Sequence, residues 1–132
     1  KIKSFSQEVG SLMEQNHLDR ALKKILEFSA HFNQYFQHKE PWKNGKGTNT
    51  CVYLSANAVH SIAIALYPFI PESAQKIWIQ LGMEGNVSEQ SWDSMSKLSI
   101  KDGHTLGSPS PLFTKIEESD IKKHKEKLGN KN

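Results

Sequence analysis

Cysteine is nearly missing from this 132-residue chain: Cys51 stands alone. One cysteine excludes an intrachain disulfide and any CxxC metal motif. Arginine is almost as scarce. Arg20 accompanies sixteen lysines, so the cationic surface is made of mobile point charges rather than the planar forks that read carboxylates and base edges. Long apolar runs are lacking too. The stretch around Ile62 to Leu66 falls far short of a membrane span. No phosphate loop, GxGxxG or GxSxG is present. No secretory signal pattern is visible, and the chain opens on Lys1 rather than Met, so it is expected to be a piece of something longer.

What is present suits one helical domain. The length fits a single domain and hardly two, and a core without covalent staples is feasible at this size. Hydrophobic residues make up 36% and charged residues 23%, an ordinary mix for a soluble fold. The formal net charge of +3 permits an anionic partner without demanding one. Lysines of this kind suit attraction to a phosphate backbone better than sequence readout. By themselves they also suit a solvated surface.

Apolar residues recur at helical spacing in four stretches. Ile2, Phe5, Val9, Leu12 and Met13 form the first stripe. Asn16 reads as the N-cap of the second helix, with Asp19 favouring its first turn. That helix carries Leu18, Leu22, Ile25, Leu26, Phe28, Phe32 and Phe36, and Pro41 ends it by disfavouring helical geometry at Glu40. Residues 43–50, with Gly45 and Gly47, read as a loop. A third helix is expected from near Asn49. It is apolar on almost every side near Ile62 to Leu66, as a central buried helix would be. Pro68 and Pro71 break it, Pro71 suits the first turn of a fourth helix, and Gly82 suits that helix's C-terminal cap. The expectation is an all-α antiparallel bundle of about four helices over residues 1–82. An ordered but irregular extension over 83–118 and a lysine-rich terminal helix or tail over 119–132 complete the single domain.

No catalytic constellation emerges. The six histidines do not pair at helical spacing, and no His/Cys/carboxylate cluster has the spacing of metal ligands, so neither a metal site nor a cofactor is expected in this chain. His60 beside Ser61 reads as a core-facing histidine rather than half of a nucleophile pair. Trp78 belongs to an apolar stripe, and Trp92 reads as a clasp onto the bundle. Trp42 is different. It follows Pro41 where a long helix stops and a lysine- and glycine-containing loop begins. It could cap the core, or it could offer its face to an unpaired base, a contact that contributes about 1–3 kcal/mol. Lys39, Lys43 and Lys46 lie close by and could hold flanking phosphates. Asn33, Gln34 and Tyr35 near the same helix end offer polar groups for base edges.

The run Asn33-Gln34-Tyr35-Phe36-Gln37-His38-Lys39-Glu40-Pro41-Trp42 resembles the signature of the anticodon-binding domain of methionyl-tRNA synthetases. Three later features agree in order and spacing. They are the break Leu66-Tyr67-Pro68-Phe69-Ile70-Pro71, the helix from Glu72 to Trp78 ending at Leu81-Gly82, and the tail from Gly103-His104-Thr105-Leu106-Gly107 to Pro111-Leu112-Phe113 and Glu117. The tail is most similar to archaeal or eukaryotic-type members. The resemblance implies a helical bundle appended to a Rossmann-type catalytic domain in a cytoplasmic, ATP- and Mg-dependent methionine–tRNA ligase. It implies that Trp42, shaped by Pro41, stacks on the first anticodon base, a cytosine, of the CAU anticodon loop of methionine tRNA. The family's other readers, an Asn/Asn/Arg series on a preceding helix, have no counterpart in this chain. The tail of the family folds back towards the catalytic domain, so Leu112 and Phe113 are expected to be exposed here. Two other readings remain at this point. One is a protein-interaction module packing on the catalytic domain or a synthetase-associated protein. The other is the equivalent domain of another class I synthetase.

Overall fold

The computed structural model describes residues 1–129, and the last three positions of the expected terminal tail lie outside them. Among the described residues there are five α-helices and no strand: α1 (Ile2–Glu14), α2 (Leu18–Lys39), α3 (Thr48–Leu66), α4 (Pro71–Gln80) and α5 (Glu118–Gly129). Short 3-10 turns occupy Pro41–Lys43, Val87–Glu89 and Trp92–Ser96.

α1 lays Ile2, Phe5, Ser6 and Val9 against α2 and α3. The contacts Lys1–His31, Phe5–Phe28 and Glu8–Lys24 run in opposite chain directions, so α1 and α2 are antiparallel. The link between them differs from the sequence expectation. Asn16 does not cap α2; it takes φ 61° two residues past the end of α1. Its N–H donates to Met13 O at 3.0 Å and that of His17 to Leu12 O at 2.8 Å. This left-handed closure satisfies two carbonyls that the end of α1 would otherwise leave unpaired. Asparagine serves helix starts and left-handed ends alike, and the closing of α1 prevails; His17 then precedes α2 without a side-chain cap.

α3 is the central element, touching α1, α2 and α4. From Asn57 to Leu66 all its residues except Val59 are buried. α4 starts on Pro71 and buries Ala74 and Trp78. Gly82, at φ 70°, closes it in the same way that Asn16 closes α1. Leu26, assigned to the apolar face of α2, instead projects to solvent with 57% exposure, while its neighbour Ile25 is sealed.

The extension after Gly82 is irregular yet firmly held. Trp92 donates its indole N–H to Ser6 O at 3.0 Å, as a clasp should. Asn57 donates to Ile100 O at 3.2 Å and accepts from Ile100 N at 3.0 Å. Ser61, one turn on, donates to Met95 O at 2.6 Å. The chain then returns to the end of α4. His104 Nε2–H donates to Leu81 O at 2.6 Å, and Gly107 N–H donates to Gln80 O at 3.0 Å. A Cβ on Gly82 would collide with the Thr105 carbonyl, and one on Gly107 with that of Ile79, so both glycines are needed for this crossing. Beyond it Phe113 is exposed, as expected, whereas Leu112 is half-buried. No residue of α5 is buried.

Candidate nucleic-acid interface at the end of α2

α2 stops at Pro41, whose ring disfavours helical geometry at the residue before it. Glu40 takes φ 45°, ψ 55°, while its N–H still reaches Phe36 O at 3.2 Å. Pro41 then opens a 3-10 turn closed by Lys43 N–H to Glu40 O at 2.9 Å and Asn44 N–H to Pro41 O at 3.1 Å. Asn44, at φ 50°, is also left-handed, so two non-glycine residues of this unusual backbone bracket the turn. Pro41 is buried, and the turn rests on the start of α3. The tryptophan on this anchored turn keeps 55% of its surface exposed. Its ring leans on Phe36, with centroids 6.2 Å apart and planes 51° apart, and is not sealed into the core.

Lys39, Lys43 and Lys46 are all exposed around this indole. Among the described residues Lys39 and Lys46 make no ion pair, but Lys43 Nζ meets Glu40 Oε2 at 2.8 Å. Glu40 is the lone acid between Glu27 and Glu72. α3 begins beside the turn at Gly47, φ 90°, with no side-chain cap, so the positive end of its dipole adds to the local potential. A flat aromatic face, mobile cations and few acids can together hold a base and its flanking phosphates.

The polar candidates on α2 separate. Asn33 is exposed and, with Phe32, Phe36, Val52, Ala56 and Val59, lines an open apolar groove of about 430 Å³ between α2 and α3. Phe36 is thus shared by the groove and the tryptophan. Gln34 is exposed. Tyr35 is half-buried edge-on to Phe32, centroids 6.2 Å apart. Two residues along a helix are turned about 200° from each other, so Asn33 and Tyr35 do not share a face. Sequence periodicity assigned Phe36 to the core stripe. The chain reversal at Glu40 brings Trp42 back onto it, and no helical count carries through that reversal.

Elsewhere the polar groups are structural. His60 is buried against Trp78, centroids 5.1 Å apart, and its Nδ1 has no partner. Burial pushes its imidazole below the ordinary value of 6.5. Ser61 spends its hydroxyl on backbone carbonyls, so the pair makes no nucleophile arrangement. Among the described residues no group of three or more His, Cys, Asp or Glu is placed to hold a metal, and no helix is long and apolar enough to cross a membrane.

A family model described as the anticodon binding domain of methionyl tRNA ligase matches residues 1–132. The methionine–tRNA ligase of Saccharolobus islandicus is 41% identical over 91% of the chain and 22% of its own length. That of Thermofilum pendens is 34% identical over 97% of the chain and 23% of its own length. That of Pyrococcus abyssi is 31% identical over 92% and 16%. The chain spans about a fifth of the length of such relatives.

Proposed function

The chain belongs to the family of anticodon-binding domains of methionyl-tRNA ligases, and from that membership we propose that it reads the CAU anticodon of methionine tRNA by stacking the first base, a cytosine, on the indole of Trp42. The observation that carries this reading is the placement of the indole: half exposed, on a turn anchored by buried Pro41, among Lys39, Lys43 and Lys46. Stacking supplies affinity without a rigid hydrogen-bond code, and the lysines supply salt-dependent attraction to the loop's phosphates. Asn33 stands nearest to a base-reading role, at the lip of the groove that shares Phe36 with the ring. In this reading Tyr35, half-buried and packed edge-on to Phe32, contributes to the RNA-facing end of α2. The parent is a cytoplasmic ligase that uses ATP and Mg in a separate catalytic domain.

Titration of a CAU-anticodon stem-loop at low salt tests this. Trp42→Ala weakens binding between about 5- and 150-fold, the equivalent of one stacked base, with the helical circular dichroism unchanged. Unchanged affinity sinks the stacking role. Stem-loops differing only in the anticodon separate this reading from that of another class I synthetase, because only the CAU loop binds at full strength.

The α2–α3 groove favours a second, compatible role. Its lining is mostly apolar, and Val52 and Val59 are more than a third exposed. A contiguous apolar surface of this kind suits burial against the remainder of the parent ligase.

A further inference from the structure

Glu40 runs against its surroundings in three ways. It holds the left-handed cap of α2, where glycine or asparagine sits with less strain. It places a carboxylate at the negative end of a 22-residue helix, where the macrodipole disfavours it. It is also the lone acid between Glu27 and Glu72, close to an exposed tryptophan among lysines. Local rules broken together at a functional surface point to a role there. Its one side-chain partner is Lys43, whose Nζ lies 2.8 Å from Oε2.

We infer that Glu40 limits the sequence-independent attraction of RNA to the Trp42 turn by holding Lys43, a role that rests on the anticodon-binding reading. A pair of opposite charges this close presents almost no net field beyond a Debye length of about 8 Å. Residues 39–46 carry three lysines and one glutamate, so an approaching RNA meets +2 rather than +3. An RNA that offers phosphates alone is held less well. One that also stacks a base on Trp42 keeps the whole of that contribution. The pair is exposed on both sides, so a phosphate can take Lys43 from Glu40 without desolvating a buried charge. The carboxylate therefore raises the share of affinity that depends on the ring.

The test uses the whole chain, an unstructured oligouridine and the CAU stem-loop, each titrated across a range of salt. Glu40→Gln keeps the side-chain length and removes the charge. It should raise oligouridine affinity about three- to tenfold at low salt and steepen the salt dependence by about 0.7 in log–log slope, the value of one single-strand phosphate contact. Glu40→Gly, which relieves the left-handed backbone, should give a similar rise, so a folding defect in the glutamine variant does not mask the effect. Lys43→Gln should cost less than about twofold in the parent chain but threefold or more in the Glu40→Gln background. Unchanged or weaker oligouridine binding in both Glu40 variants overturns the proposal, as does an equal cost of Lys43→Gln in the two backgrounds. These outcomes are separate from the stacking question. Trp42→Ala without effect on the stem-loop defeats the anticodon reading, whereas a Trp42-dependent stem-loop with no Glu40 effect defeats only this inference.

Discussion

At the scale of single residues, the decisive placements are two aromatic side chains with opposite fates. Trp78 is sealed, with its indole N–H satisfied by Glu84 O at 3.1 Å. Trp42 is left half in solvent. Pattern placed Trp78 on a helical stripe but left Trp42, which follows a proline that ends one, open between a core cap and a stacking face; its exposure decides. The glutamate two residues before Trp42 gave no such signal, because its partner and its backbone conformation appear only in three dimensions. Beside Trp78, His60 couples the core to pH. Its folded-state value lies below 6.5 because burial penalises the imidazolium. The unfolded chain therefore binds the proton more readily, and this contribution is fully present above about pH 6.5 and lost as pH falls through and below it. Urea midpoints measured from pH 8 to 5 should decline more steeply for the parent chain than for His60→Leu. Parallel curves would show that protonation of His60 does not oppose folding.

At the scale of elements, helix boundaries were legible wherever a residue imposes them by its own chemistry. Pro41 and Pro71 fix an end and a start, and Gly82 takes the left-handed cap. Asn16 was not, because its side chain suits two opposite tasks and only the packing of α1 against α2 selects one. The extension was legible as ordered and irregular, but its fastening was not. It hangs on Asn57 and Ser61, which sit four residues apart on the buried face of α3 and look, in a periodicity count, like interruptions of an apolar helix. Asn57 alone satisfies both backbone groups of Ile100. Asn57→Ala would leave a buried donor and acceptor unpaired, at about 1–3 kcal/mol each. The expected result is a loss of about 2–4 kcal/mol in urea unfolding, with faster proteolytic cutting after Met95 than in the parent chain. A loss below about 0.5 kcal/mol would mean that the extension is held by its apolar residues instead.

At the scale of the whole molecule, stability and recognition are built in different places. α3 collects the buried contacts of its neighbours, while the exposed tryptophan sits on a turn at its leading end. α5 takes no part in the core, since all its described residues are exposed. A chain ending at Glu117 should therefore unfold within about 0.5 kcal/mol of the 132-residue chain; a larger drop in calorimetry would reveal packing by α5. The crossing of Gly82 and Gly107 has a mechanical meaning as well. Tension arriving along the polypeptide from beyond Ser110 meets the bonds at Gln80 and Leu81, at the end of α4, before it can reach α1, α2 or α3. That junction works as a strain relief, so a tug from the far side is spent there and the indole's perch stays still.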